Sequence, residues 1–191
     1  MDNKVRTFIA LEIAEKSRQQ AFTLEQKLME TEADVRWEPA SKFHITLKFL
    51  GEIPNPEVYE ICRDVAAVAK RHHPFMFCLK GVGAFPNVEK PRSVWMGVDD
   101  EGRQAITELA ADVDRVMQQR GFPRELKPYF PHMTLGRIQR ISPKLGDLSA
   151  RIRQYEAYDA GKTFVRHLTV FASKMARSGS NYTVLSTAEL S

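Results

Sequence analysis

The sequence predicts an α+β fold built twice, as two pseudo-symmetric lobes within one domain over residues 1–191. Two segments carry the prediction: His44-Ile45-Thr46-Leu47 and His132-Met133-Thr134-Leu135, near copies of each other whose histidines stand 88 positions apart. Strand-like and helix-like patterns recur at that same offset along much of the chain. A period this long exceeds that of solenoid repeats and points to two lobes rather than an array.

The elements follow in order. Phe8-Ile9-Ala10 reads as a strand and falls on Met96-Gly97-Val98, while the polar–apolar stretch 15–30 reads as a helix and falls without a gap on 103–118. The His-x-Thr segments come next as apolar, β-prone runs, and because strand side chains alternate, each His and its Thr project from one face. Pro54-Asn55-Pro56 and Ser142-Pro143-Lys144 then open a second helix in each copy, with proline tolerated in a first turn. Phe75-Met76-Phe77-Cys78-Leu79 and Thr163-Phe164-Val165-Arg166-His167 are further strands. Residues 81–92, Gly-Val-Gly-Ala-Phe-Pro-Asn-Val-Glu-Lys-Pro-Arg, read as a loop or crossover too short for a tether, so the lobes pack together and the cleft between them is the natural ligand site.

Composition bounds the class. With 191 residues, 43% hydrophobic and 27% charged, the chain can bury a real core. No apolar run is long enough to span a bilayer, and the expected setting is the cytoplasm. Cys62 and Cys78 lack metal or redox spacing and read as two buried free thiols. The charge of +4 permits a phosphate-bearing partner without demanding one. Its placement says more: Arg36, Lys42 and Lys48 bracket the first motif, and Lys127, Arg137 and Arg140 the second, a solvated rim or a ring that suits an anionic substrate.

Metal chemistry finds little support, since there is no His-Glu-x-x-His and no acidic residue within either motif, so neither a metal nor another cofactor is expected. A nucleophilic triad finds none either: Gly-x-Ser-x-Gly is missing, and a threonine on the same strand face projects parallel to its histidine rather than at it. Two histidines facing each other across a phosphodiester can instead work as base and acid, each form being populated near neutral pH. Thr46 and Thr134 then donate to non-bridging phosphate oxygens.

At this point the chain resembles the 2H phosphoesterase superfamily, named for two His-x-Thr/Ser motifs, and within it the RNA 2′,3′-cyclic phosphodiesterases, also described as 2′-5′ RNA ligases. The likeness runs nearly end to end: Arg6-Thr7-Phe8-Ile9-Ala10-Leu11, Trp37-Glu38-Pro39, His44 through Glu52, Gly83-Ala84-Phe85-Pro86, Trp95-Met96-Gly97-Val98 and Pro131-His132-Met133-Thr134-Leu135-Gly136-Arg137. Phe130 departs from it, standing where an arginine is expected and thinning the cationic wall. The resemblance implies antiparallel sheets lining a central cleft with helices outside. It also implies cofactor-free hydrolysis of RNA 2′,3′-cyclic phosphate ends to 2′-phosphates, reversible as 2′-5′ ligation, with His44 as proton donor and His132 as acceptor from water. Substrates implied are RNA ends, among them tRNA halves, or small nucleotides; no membrane partner is expected, and the self-contained pair of lobes makes a monomer the expectation. A binder of RNA ends or nucleotide phosphates that does no chemistry is the alternative.

Five residues past each histidine stand Phe49 and Arg137, a ring for a base and a guanidinium for a phosphate. Both are candidate substrate contacts, although alternation in an unbroken strand turns them away from the histidines, which places Phe49 in the core; Arg137 meets the same objection unless the strand ends or bulges there, as Gly136 allows. Lys48 shares the His44 face by the same parity and joins the substrate-binding candidates. A third His-x-Thr, His167-Leu168-Thr169, has no partner in the first copy and reads as structural or site-lining. His72 and His73 read as helix-terminal charges, and Trp37 and Trp95 stay outside the candidate site, Trp95 as core or lobe interface.

Overall fold

In the computed structural model, which describes residues 4–176 and 179–191, every strand joins one antiparallel sheet, and the alternation of buried and open residues along its strands defines two faces. The strands are β1 (Lys4–Glu12), β2 (Val35–Trp37), β3 (His44–Pro54), β4 (Phe75–Phe85), β5 (Ser93–Val98), β6 (Met133–Ile138), β7 (Asp159–Val165), β8 (His167–Ala176) and β9 (Gly179–Glu189). Their order is β7-β4-β5-β6-β3-β1-β8-β9, with β2 lying beside β6.

The helices are α1 (Glu15–Met29), α2 (Val58–Ala69), α3 (Asp100–Gln119) and α4 (Lys144–Gln154). Each presents apolar residues at helical spacing to the sheet, as with Ala21, Leu24 and Leu28 on α1 or Ile106, Leu109, Val113 and Met117 on α3. Asp99 caps α3, its carboxylate accepting from the Gly102 amide at 3.1 Å. The helices cover one face of the sheet, where Ile9, Leu11, Ile45, Leu47, Val94, Met96, Met133 and Leu135 are buried. The other face carries a small apolar cluster of Phe8, Ala10 and Phe171 with Tyr182 packed against it.

The duplication is visible in the topology, since β3-β1-β8-β9 and β6-β5-β4-β7 run outward in the same way from the central β3/β6 join. The halves of the chain are nevertheless interleaved rather than side by side. One half-sheet takes β1 and β3 from the first repeat but β8 and β9 from the second, and α1 packs on β7 while α2 packs on β8 and β9. The repeat is also not gapless. Ala10 lies opposite Thr46 and Trp95 opposite Thr134, so the counterpart of Ala10 is Trp95, where a constant offset of 88 picks Val98.

Several local expectations are corrected. Residues 81–85 continue β4, and only the residues after Phe85 turn toward β5; Gly83 is needed because a Cβ there would meet the Trp95 ring at 2.6 Å. His72 and His73 do not cap α2: His72 Nε2 lies 3.1 Å from Asp112 of α3, and His73 Nδ1 donates to the Ser191 carbonyl at 2.6 Å. Both cysteines are free, but Cys62 is only half-buried, while burial and the Asp159 carboxylate push the Cys78 thiol up to about 11. Among the described residues no helix is long and apolar enough to cross a membrane.

Candidate active site

Both motifs sit at the central join. β3 and β6 touch through a single antiparallel bridge, Ile45 opposite Met133, and extending that register by one residue each way brings His44 toward Thr134 and His132 toward Thr46. Ile45 and Met133 point into the core, so the half-buried His44, Thr46, His132 and Thr134 all project from the open face. The structure thus brings the four residues together.

Each imidazole is held alike. His44 Nδ1 donates to the Lys42 carbonyl at 2.6 Å and His132 Nδ1 to the Phe130 carbonyl at 2.8 Å. A carbonyl can only accept, so the proton of each neutral ring is on Nδ1 and the Nε2 lone pair is left for chemistry. The rings differ at Nε2: that of His44 accepts from the Thr46 hydroxyl at 2.9 Å. The expectation that a threonine on the same strand face runs parallel to its histidine fails in the first motif, where hydroxyl and imidazole meet.

Burial is the main cause holding both histidines below the ordinary 6.5. The carbonyl acceptors oppose it, while the charge of His132 adds to the depression at His44 and that of Arg137 to the depression at His132. The two motifs therefore share one electrostatic neighbourhood. Aromatic rings supply the dry surroundings: Phe8, Tyr182 and Phe171 lie 5.0, 5.4 and 6.3 Å from the His44 ring, and Phe85, Phe130 and Trp95 lie 5.0, 6.2 and 6.5 Å from that of His132.

A β-bulge in each motif strand decides the remaining candidates. Along β3, Ile9 faces Lys48 but Ala10 faces Thr46, so Leu47 is an extra residue and alternation inverts beyond it. Lys48 consequently turns inward, 8% exposed, where its ammonium engages Asp114 and donates to the Pro123 carbonyl at 2.9 Å. It is no part of the open face, and the parity that placed it beside His44 is corrected. Phe49 turns outward instead, 65% exposed, with its ring 5.9 Å from that of Phe8. Along β6 the same device recurs: Val94 faces Gly136 and Trp95 faces Thr134, leaving Leu135 extra and returning Arg137 to the face of Thr134.

Sequence reasoning missed the aromatic surround, although Phe8 could have been found as the residue two before Ala10 on a strand paired with the first motif. Trp95 leaves the core for the open face, half-buried beside His132. It also missed Tyr129, whose buried hydroxyl donates to the Thr46 carbonyl at 2.9 Å and so ties the approach to the second motif onto the first. His167 stays outside the site, exposed opposite Glu189, while Thr169 donates to Glu12 at 3.3 Å. Among the described residues no group of three or more His, Cys, Asp or Glu is placed to hold a metal ion.

The sequence matches the family described as LigT like Phosphoesterase twice in succession, over residues 11–95 and 96–182. The chain belongs to the LigT-like phosphoesterase family. As a member it is a phosphodiesterase enzyme, and the tandem match gives the duplication a family basis. It is 32% identical to an RNA 2′,3′-cyclic phosphodiesterase of Archaeoglobus fulgidus over 93% of this chain and 96% of that one. It is also 32% identical to the protein of the same description from Aquifex aeolicus, over 78% and 79%. Among solved structures, TT0787 of Thermus thermophilus superposes with a TM-score of 0.80 at 26% identity, covering 97% of both chains. The E. coli LigT complexed with 3′-AMP shares the fold, with a TM-score of 0.75 at 24% identity and 99% coverage of both.

Proposed function

We propose that this phosphodiesterase hydrolyses 2′,3′-cyclic phosphate ends of RNA to 2′-phosphates, with His44 and His132 as its acid and base. The observation that carries the reading is the matched pair of imidazoles, each with Nδ1–H on the carbonyl two residues before it and Nε2 turned to a shared open face. Binding a phosphate needs cations; it does not need two titratable groups with their lone pairs prepared.

Neutral His132 takes a proton from water as the water oxygen bonds to phosphorus. The P–O3′ bond breaks, and protonated His44 gives its Nε2 proton to the departing O3′. The negative phosphodiester offsets the burial that depresses both histidines and favours protonation of one of them. Thr46 and Thr134 hydroxyls donate to the non-bridging oxygens as charge grows there. With a 5′-hydroxyl in place of water the same attack forms a 2′-5′ link: His132 takes the hydroxyl proton, the P–O3′ bond of the activated ring breaks and His44 protonates O3′. The donor and acceptor assignments of His44 and His132 follow the family resemblance.

The test is to incubate the protein with a short oligoribonucleotide ending in a 2′,3′-cyclic phosphate, with and without EDTA, and to identify the product by ³¹P NMR. The expected product is a 2′-phosphate formed at an unchanged rate in EDTA. A 3′-phosphate reverses the placement of water and leaving group, and binding without turnover overturns the reading in favour of a phosphate-binding protein.

A further inference from the structure

Arg36 stands outside both motifs, on β2, a three-residue strand that docks beside β6. Its register partner is Arg137. Val35 and Trp37 flank it on the opposite side, packing over Gly136, where a Cβ would meet Val35 Cγ1 at 2.7 Å and Trp37 Cε3 at 2.8 Å. Alternation then forces Arg36 to the face of Arg137, which the bulge has already returned to the face of Thr134. Two guanidiniums thus project side by side, both exposed, and neither has an acidic partner among the described residues. The nearby Arg140, by contrast, is engaged by Asp34 at 3.6 Å.

Like charges directly opposite on neighbouring strands oppose sheet formation. The arrangement makes sense if an anion commonly lies between them, and planar guanidiniums are suited to gripping phosphate oxygens in pairs. Its position says which anion. From Thr134 to Arg137 is three residues of strand, about 10 Å at most, a backbone separation on the scale that divides one phosphate from the next along an RNA chain, so guanidiniums rooted there can take the phosphodiester beside the reacting one. Burial, and then the charge of Glu38, push the Tyr182 phenol against His44 above its ordinary value, while the charges of Arg137, Arg6 and Arg36 oppose that rise, which sets these groups around a common space.

We propose that Arg36 and Arg137 form a second phosphate subsite, which takes the phosphodiester on the 5′ side of the terminal cyclic nucleotide and makes the enzyme prefer an RNA chain to a lone nucleotide. This rests on the function proposed above and adds the feature of the substrate that is recognised. Arg36 lies apart from the reacting atoms, and its contribution is to selectivity.

The test compares kcat/KM of the parent, Arg36→Ala, Arg36→Gln and Arg36→Lys on three substrates. These are a 2′,3′-cyclic nucleotide with no other phosphate, the same nucleotide with a 5′-phosphate, and a dinucleotide with a cyclic end. The parent is expected to favour the dinucleotide, and Arg36→Ala and Arg36→Gln to lower that preference about tenfold, through KM, with Arg36→Lys restoring part of it. The salt dependence of dinucleotide KM should weaken in the same variants. Equal losses on all three substrates, or none, overturn the subsite; sensitivity of the 5′-phosphorylated nucleotide alone overturns the chain-phosphate assignment. Failure of the parent on all three is a separate result and sinks the proposed function itself.

Discussion

At the bulge in β3, Lys48 turns into the core and Phe49 onto the open face; at the corresponding bulge in β6, Gly136 turns inward and Arg137 outward. The backbone device is common to both repeats, while its two products are different chemistry. On the first side an ammonium is consumed in holding α3 and the segment near Pro123, and a ring is offered to the open face. On the second side a glycine lets β2 dock closely, and a guanidinium is offered. Duplication thus conserved the geometry that gathers two histidines and left the fifth residue beyond each free to diverge, giving a symmetric reaction centre with an asymmetric rim.

The strongest way to break this comparison is through the threonines. Thr46→Ala and Thr134→Ala should each lower kcat about 100-fold if both hydroxyls stabilise charge on the phosphate. A loss at Thr134 with none at Thr46 would mean that the Thr46 hydroxyl serves only its 2.9 Å bond to His44. Next come the diverged rim residues. Arg137→Ala should raise KM for a cyclic-phosphate end about 30-fold in a salt-dependent way, and Phe49→Ala about tenfold with no salt dependence, as expected for lost stacking. Equal salt dependence for the two would erase the proposed asymmetry.

The inward residues should affect stability more than substrate binding. Lys48→Met leaves the Asp114 carboxylate unpaired and should cost about 3 kcal/mol of unfolding free energy in a urea melt, with KM unchanged. A smaller and pH-dependent effect is expected at Glu25 on α1, 2% exposed, which burial and then the Glu38 charge push up to about 8. The folded state keeps that proton while the unfolded chain releases it near 4.5, so stability falls as pH rises between those values. Glu25→Gln should remove the slope and stabilise the protein by about 2 kcal/mol above pH 8, read as a melting temperature that no longer drops as pH rises from about 4.5 to about 8.

The His-x-Thr spacing was enough to place four side chains on one face, because alternation is a local property and neither motif is interrupted between His and Thr. It failed one residue later. Where Leu47 and Leu135 are inserted against the neighbouring strand, parity inverts, and in the first motif no glycine announces it. That is why Lys48 and Phe49 exchange faces relative to a regular strand. The interleaving of the repeats was also hidden, since it depends on which sheet edge β8 and β9 join, a long-range choice with no local signal. Glycine and proline suggested a loop over 81–92, but Gly81 and Gly83 lie within β4, Gly83 for the sake of the Trp95 ring. The aromatic rings around each histidine come from several different strands and the segment before β6, so no spacing in the sequence collects them.

The central claim is that the imidazoles of positions 44 and 132 act on one phosphorus atom. Single-turnover rates on a cyclic-phosphate oligonucleotide for the parent, His44→Ala, His132→Ala and the double variant test it most directly. Each single variant should be slower by about 1,000-fold, and the double variant only slightly slower than the worse single, because acid and base work in the same step. A single variant within tenfold of the parent, or losses that multiply in the double variant, would contradict it.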